Sequence, residues 1–212
     1  MKPWREARRF LNGFTNNPTG GSFHTAWIES GISDLRKSSI TSEKLGVSPI
    51  TKLATDLRRY VPLKSHKGKT PADRAREKIP VLALRLMTGT STGRRPFFEQ
   101  FFMGGADSLR GYLEDRFWGR NMLLASVEYR RPFAQALTGV LFTDVGDAWD
   151  SRSAFQFSDP TLRTRYRQHT QFSPHASVGL GLRVTTPIGP IRLDYAFGSE
   201  GGRLHFSIGH SF

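Results

Sequence analysis

The sequence of 212 residues contains no cysteine. Disulfide scaffolds, thiolate zinc sites and cysteine nucleophiles are therefore excluded. It also lacks any run of the roughly 20 apolar residues that a membrane-spanning helix needs, so helical membrane spans are excluded too. Because the first ten residues hold no apolar signal stretch, we expect either a chain that is not exported by that route or a segment of a longer protein.

Acidic residues are scarce, with 18 Asp and Glu against 31 Lys and Arg, and the formal net charge is +13. A charge of this size raises nucleic acid or an anionic membrane surface as a partner. The excess is concentrated in the first 80 residues, and all eight lysines lie at or before Lys78. We expect residues 1–21 to form a basic segment of unclear structure and residues 22–212 to form the folded domain.

Motifs of catalysis are missing as well. The six histidines show no metal-ligand spacing, and neither a Gly-x-Ser-x-Gly nucleophile turn nor a Gly-x-x-x-x-Gly-Lys-Ser/Thr phosphate loop occurs. We therefore predict a protein that is not an enzyme, with no metal site and no cofactor.

The dominant pattern that is present is a period of two. Near the C-terminus Leu204, Phe206 and Ile208 alternate with His205 and Ser207, which predicts a strand with one apolar and one polar face. Seven further segments alternate in this way, at about 23–33, 50–60, 82–87, 123–130, 137–146, 178–185 and 191–198. The pattern predicts an all-β, antiparallel meander of about eight strands.

A soluble β-sandwich would also show alternating strands. However, the alternation extends over 9 to 11 residues, and this is the length that a tilted strand needs to cross a bilayer. Short turns at 131–136 and 186–190 contrast with connections of about 30 residues before Asn121 and about 26 residues before Ser173. Short turns on one side and long loops on the other are typical of outer-membrane barrels. These features favour part of a transmembrane outer-membrane β-barrel over a sandwich.

Three segments carry a more specific resemblance. They are Phe-Phe-Met-Gly-Gly-Ala-Asp-Ser-Leu-Arg-Gly-Tyr at 101–112, Val-Leu-Phe-Thr-Asp-Val-Gly-Asp-Ala-Trp at 140–149, and the last hairpins from Gly179 to Phe212. The chain resembles the C-terminal barrel half of the bacterial surface antigen family, which includes BamA- and TamA-type insertases, the transporter FhaC and the chloroplast Toc channel. The resemblance is specific from about residue 81 and looser over 23–60. It implies a partial barrel, with further strands or POTRA domains outside these residues.

The resemblance also implies that a long loop at about 90–120 folds into the barrel. Its motif Leu109-Arg110-Gly111-Tyr112 would place the arginine against lumen-facing partners on the next two strands, which are Glu128, Phe142, Asp144 and Gly146. Alternation independently puts Glu128 and Asp144 on a polar face. A guanidinium can fork to two carboxylates, and glycine tolerates the positive φ that a loop tip needs. We expect Arg110 to matter more than Arg116 or Arg120.

The function implied by the resemblance is assistance in inserting barrel proteins into an outer membrane, or in passing polypeptide across it. The partners would be the bilayer of a Gram-negative outer membrane, or of an organellar envelope, and unfolded client polypeptides. Clients would pair with a weak seam beside the last strand, whose residues include Phe206, Ile208, Gly209 and Phe212. Two alternatives stay open: a basic nucleic-acid-binding β-domain, which the separation of aromatics from charges disfavours, and a passive pore or structural barrel.

Overall fold

The computed structural model describes residues 6–7, 20–35, 46–64, 78–93, 95, 97–134, 136–151, 159–165, 169–186 and 189–209. The strands are β1 (Glu6–Ala7), β2 (Gly21–Leu35), β3 (Gly46–Pro62), β4 (Val81–Thr92), β5 (Phe101–Met103), β6 (Phe117–Gly119), β7 (Asn121–Pro132), β8 (Leu137–Trp149), β9 (His175–Thr186), β10 (Gly189–Gly198) and β11 (Gly201–Ile208). A 3₁₀ turn covers Phe97–Glu99, and the helix α1 covers Pro160–Arg165.

The main sheet has nine strands in the order β1-β2-β3-β4-β7-β8-β9-β10-β11, and each strand runs antiparallel to its neighbours. The prediction of an all-β meander of eight long strands is confirmed. The two-residue β1 adds to the edge of β2, and β5 and β6 form a small separate sheet within the loop between β4 and β7. These three strands were not predicted because two or three residues are too few to show alternation.

The connections follow the predicted alternation of short and long with two departures, and the first is the connection of residues 63–80 between β3 and β4, which is long although it lies at the short-turn end. Residues 93–120 and 150–174 form the long connections at one end of the sheet, and residues 133–136 form a short turn at the other end. The last hairpin lies at the long-loop end, yet it turns through Ser199 and Glu200 alone. Gly201, at a φ of 104°, supplies the left-handed conformation at the exit of this tight turn.

The outward face of the sheet is apolar and exposed. Leu180 and Leu204 are each 65% exposed, and further large apolar side chains on this face are also exposed: Leu53, Leu57, Leu86, Val127, Leu141, Val145, Val178, Leu182, Leu193, Tyr195, Phe197, Phe206 and Ile208. A sandwich would bury this face against a second sheet. The described residues contain no helix with the length and apolarity to span a membrane.

The core lies on the opposite, polar face, where the loop 93–120 covers the sheet. Loop residues make up about half of the main apolar cluster, whose buried members are Ala54, Phe101, Met103, Leu109, Tyr112, Phe117, Met122, Leu124 and Ala148. Gly89 leaves the space that Phe101 occupies, since a Cβ on Gly89 would come within 2.7 Å of the Phe101 ring. The loop is therefore the main packing partner of the sheet.

The sheet curves around this loop. Asp107 accepts hydrogen bonds from Arg85 of β4 at its carbonyl oxygen (3.1 Å) and from Arg192 of β10 at its carboxylate (3.2 Å). On a flat sheet these two strands, four steps apart, would be separated by about 19 Å. Because both arginines contact the same loop residue, the two strands must curve toward each other, and the polar face is concave.

Candidate functional site at the loop arginine

Arg110 is the centre of the polar interior. Its Nε and Nη2 donate to the two carboxylate oxygens of Asp144 at 2.7 and 2.8 Å, and its Nη1 donates to Oε1 of Glu128 at 2.6 Å. Nη1 also lies 3.4 Å from Oδ2 of Asp194 on β10. The guanidinium thus forks across one carboxylate and reaches two more, which a lysine ammonium could not reproduce.

Arg110 is held on one face of its guanidinium as well as in its own plane. Its guanidinium carbon lies 3.4 Å from the centroid of the Phe142 ring, and only 2% of the residue is exposed. Burial alone would lower the pKa of Arg110, but the hydrogen bond to Asp144 and the charges of Glu128, Asp144 and Asp194 raise that pKa above its ordinary value. The loop arginine therefore stays charged.

Four arginines and three carboxylates share this interior, and we call them the arginine cluster: Arg110, Arg130, Arg183, Arg192, Glu128, Asp144 and Asp194. Arg130 donates to Glu128 at 2.8 Å, and Arg183 contacts both Asp194 and, at 3.4 Å, Glu128. Arg192 lies 3.4 Å from Asp194. Every carboxylate in the cluster is thereby compensated, and the cluster carries one positive charge in excess.

Four members of the cluster were missing from the predicted site: Arg130, Arg183, Arg192 and Asp194. The available signal was alternation, which places them on the same face as Glu128 and Asp144. Gly181, directly opposite Asp194 in register, makes their meeting possible because a Cβ there would lie 2.7 Å from Nη1 of Arg183 and would also collide with Asp194. Alternation predicts the face of the sheet on which each residue lies, but it does not predict the register between β9 and β10.

Gly111 and Tyr112 seat the tip of the loop. Gly111 has a φ of 87°, and a Cβ on it would lie 3.0 Å from the backbone nitrogen of Gly198. The buried Tyr112 donates its hydroxyl to the carbonyl of Ala176 at 3.0 Å and accepts from the backbone N–H of Ser199 at 3.1 Å. The tip is thus fixed to β9 and to the turn between β10 and β11.

The other residues of the predicted site lie in different environments. Leu109 is fully buried in the apolar cluster, and Gly146 faces Met103 of the loop, with 2.8 Å from its Cβ position to the sulfur, instead of facing Arg110. Phe206 and Ile208 point outward and are exposed. Gly209 follows β11 and donates its N–H to the carbonyl of Pro190 at 2.9 Å. Phe212 lies outside the described residues.

Arg116 and Arg120, the loop arginines that were compared with Arg110, also have partners, which the sequence did not indicate. Nε of Arg116 donates to Oε1 of Glu200 at 2.6 Å, in a pair that is about one quarter exposed. Arg120 donates to the carbonyl of Gly93 at 2.9 Å. Both contacts lie at the end of the barrel interior rather than inside the arginine cluster, so their environment remains different from that of Arg110.

The second long connection is tied to β8 through Asp147. This buried carboxylate accepts from the backbone N–H of Ser173 at 2.7 Å and contacts Nε2 of His169 at 2.9 Å. His175 at the start of β9 stacks on Phe117 of the first loop, with ring centroids 4.0 Å apart. In the part of the chain that the structure describes, no group of three His, Asp or Glu side chains is arranged to hold a metal.

Comparison with known proteins identifies the family. The family model of the Omp85 superfamily domain matches residues 11–212. The chain belongs to the Omp85 superfamily. This confirms the family and the type of barrel that the three sequence segments indicated. Among solved structures, the crystal structure of BamA from Haemophilus ducreyi lacking POTRA domains 1–3 is similar over 93% of this chain and 39% of that one, with a TM-score of 0.61 and 20% identity. At that identity the likeness concerns the fold.

Curated relatives come from both bacteria and plants. Outer envelope protein 80 of Arabidopsis thaliana is 35% identical over 142 residues, which cover 64% of this chain and 19% of the relative. BamA of Nitratidesulfovibrio vulgaris is 33% identical over 141 residues, covering 57% of this chain and 16% of the relative. Outer envelope protein 39 of Arabidopsis thaliana is 32% identical over 134 residues, 61% of this chain and 35% of the relative. The chain thus spans about a fifth of the length of the first two relatives.

Proposed function

We propose that these residues form the C-terminal part of an outer-membrane barrel that assists the insertion of barrel proteins or the passage of polypeptide. The observation that carries the proposal is membership of the Omp85 superfamily over residues 11–212, a family in which one relative is named an outer membrane protein assembly factor. The membrane would be a bacterial outer membrane or a chloroplast outer envelope, as the names of the relatives indicate.

The distribution of apolar and charged side chains over the two faces of the sheet supports its insertion in a bilayer. Apolar side chains lie on the outside over strands of 8 to 17 residues, and about 9 to 11 residues suffice for a tilted strand to cross the hydrocarbon. The charged side chains of the arginine cluster lie inside, paired with one another. This is the inverse of a water-soluble sheet and matches the pattern of outer-membrane barrels.

The edge of β11 supports pairing with a client strand. β11 pairs with β10 through residues 201–208, and among the described residues no strand pairs with its other edge. An unpaired edge presents backbone N–H and C=O groups that an incoming strand can satisfy. In this proposal the client supplies the free energy through its own folding, and the barrel needs no catalytic step.

The buried arginines disfavour the nucleic-acid alternative. A groove that binds a nucleic acid backbone needs accessible cations. Arg110, Arg130, Arg183 and Arg192 are each at least nine-tenths buried, and each contacts a carboxylate. These four arginines are therefore paired inside the fold and are not accessible to a nucleic acid backbone.

The proposal is tested by reconstituting the full-length protein into liposomes and adding an unfolded outer-membrane barrel protein as client. We expect faster formation of protease-resistant, folded client than in protein-free liposomes, and loss of that acceleration in Arg110→Ala but not in Arg116→Ala. Ion conductance without any acceleration would identify a passive pore and overturn the proposal.

A further inference from the structure

His205 of β11 holds the tip of the loop through a hydrogen bond of unusual direction. The backbone N–H of Gly111 points at Nε2 of the imidazole, 2.9 Å away. An N–H can only donate, so Nε2 must carry its lone pair, and the remaining proton of a neutral imidazole lies on Nδ1. The hydrogen bond therefore exists only while His205 is neutral.

This bond joins two parts of the molecule that are far apart in sequence. Gly111 lies between Arg110, which enters the arginine cluster, and Tyr112, which is fixed to β9 and the last turn. His205 lies on β11, the strand whose second edge is unpaired among the described residues. The state of one imidazole is thereby coupled to both the loop tip and the edge strand.

The carboxylates near His205 already have arginine partners. The charged groups that act on it are Asp194 on β10, Arg110 on the loop, Asp144 on β8 and Arg203 on its own strand. Asp194 stands opposite His205 in register, but its oxygens already contact Arg183, Arg192 and Arg110. Asp144 is likewise held by the fork of Arg110.

Protonation would change two things at once. It would place an N–H against the N–H of Gly111, so the acceptor of the loop tip would be lost. It would also add a positive charge beside a cluster that already has four guanidinium groups and three carboxylates. Both effects push the loop tip away from β11.

We propose that His205 is a proton-sensitive positioning residue, which docks the loop tip on β11 when neutral and releases it when protonated. Acidification then loosens the loop and the edge strand together. The proposal goes beyond the insertion function and depends only on this local geometry, so it can be tested with no client present. Its failure would leave the proposed function untouched.

The test uses two spin labels on the membrane-reconstituted full-length protein, with one label on the loop and one on β11. Leu113→Cys and Leu204→Cys provide exposed attachment sites in a part of the protein that has no cysteine of its own, and any cysteine elsewhere in the full-length protein is replaced by serine. The distance distribution gives the fraction of molecules with the loop undocked. We expect this fraction to rise about fivefold between pH 8 and pH 5.5, the factor that corresponds to one net hydrogen bond.

Two variants separate protonation from simple loss of a side chain. His205→Gln keeps an acceptor that does not titrate, so we expect the loop to stay docked at both pH values. His205→Ala removes the acceptor, so we expect a raised undocked fraction at both. His24→Gln is the matched control, because it makes the same change at an exposed histidine of β2. This variant should keep the rise in the undocked fraction that the unmodified protein shows on acidification.

Three results would overturn the proposal. The first is an unmodified protein whose loop distances do not change with pH. The second is an acid response that persists in His205→Gln, which would assign the response to His169 or His175 near Asp147. The third is a His205→Gln variant that is undocked at both pH values while its barrel remains folded in heat-modifiability gels.

Discussion

The two faces of the sheet differ in what holds them in place. On the outer face, Leu180, Phe206 and their neighbours are exposed, and no second layer formed by the described residues covers them. On the inner face, charged side chains such as Glu128 and Asp144 are completely buried beneath the loop 93–120. The outer face needs an apolar environment that the described part of the chain does not provide, whereas the inner face is covered by the loop 93–120. The difference assigns the outer face to lipid and the inner face to specific pairing.

The largest effect is expected inside, from Arg110→Ala. The change leaves Asp144 and Glu128 buried without their shared partner, and breaking a buried ion pair in this way costs about 3 to 5 kcal/mol. Urea unfolding in lipid vesicles and protease cleavage within residues 93–120 measure the loss. Arg110→Lys should recover only part of it, because the charge returns without the fork. Equal behaviour of Arg110→Ala and Arg116→Ala would contradict the special place of Arg110.

A charge on the outer face should have the next largest effect. Leu180→Arg places a guanidinium where we expect hydrocarbon, and such a change at the middle of a bilayer costs about 2 to 4 kcal/mol. Leu162→Arg, on the exposed helix α1 outside the sheet, is the control and should change the unfolding free energy by less than about 1 kcal/mol. If the two variants unfold alike in vesicles, the outer face at Leu180 is not in lipid.

Tyr112→Phe should have a smaller effect on the inner face. The change removes one buried hydroxyl that links Ala176 and Ser199, and we expect a loss of about 1 to 2 kcal/mol. Tyr195→Phe removes a hydroxyl from the exposed outer face and should be nearly neutral. A larger loss from Tyr195→Phe in the same unfolding experiment would reverse the contrast between the two faces.

The smallest effect is expected where the interior meets solvent. Arg116 and Glu200 form a partly exposed pair, and such pairs contribute about 0 to 1 kcal/mol and weaken with salt. Arg116→Ala should therefore lower stability slightly at low salt and hardly at all in 1 M salt. A loss that persists in high salt would show that this end of the loop is as enclosed as Arg110.

The sequence predicts more of the sheet than of the site. Period-two alternation is a local property, so it is visible in segments such as 178–185 and 191–198, and the eight long strands follow from it. The resemblance pointed to Arg110 beside Glu128 and Asp144, and those three side chains are in contact. It could not indicate Asp194 or Arg183, because their meeting depends on the register of β9 and β10 and on the space above Gly181.

The path of the loop was also beyond local patterns. His205 alternates onto the polar face like Ser207, and nothing in its neighbours distinguishes it as an acceptor for a loop residue 94 positions earlier. Arg116 carried no sign of Glu200, since the two residues are 84 positions apart and Glu200 lies in the tight turn between β10 and β11. Contacts between a loop and distant strands require the three-dimensional course of the chain.

The most direct test of the central claim compares two adjacent residues of β11 in lipid vesicles. Phe206→Cys and Ser207→Cys would each carry one spin label, whose collisions with lipid-soluble oxygen and with a water-soluble nickel chelate are measured separately. The account predicts that the label at 206 collides mainly with oxygen, because Phe206 lies on the outer face, while the label at 207 is shielded from oxygen. Equal oxygen accessibility at the two positions, or a label at 206 that collides mainly with the chelate, would contradict it.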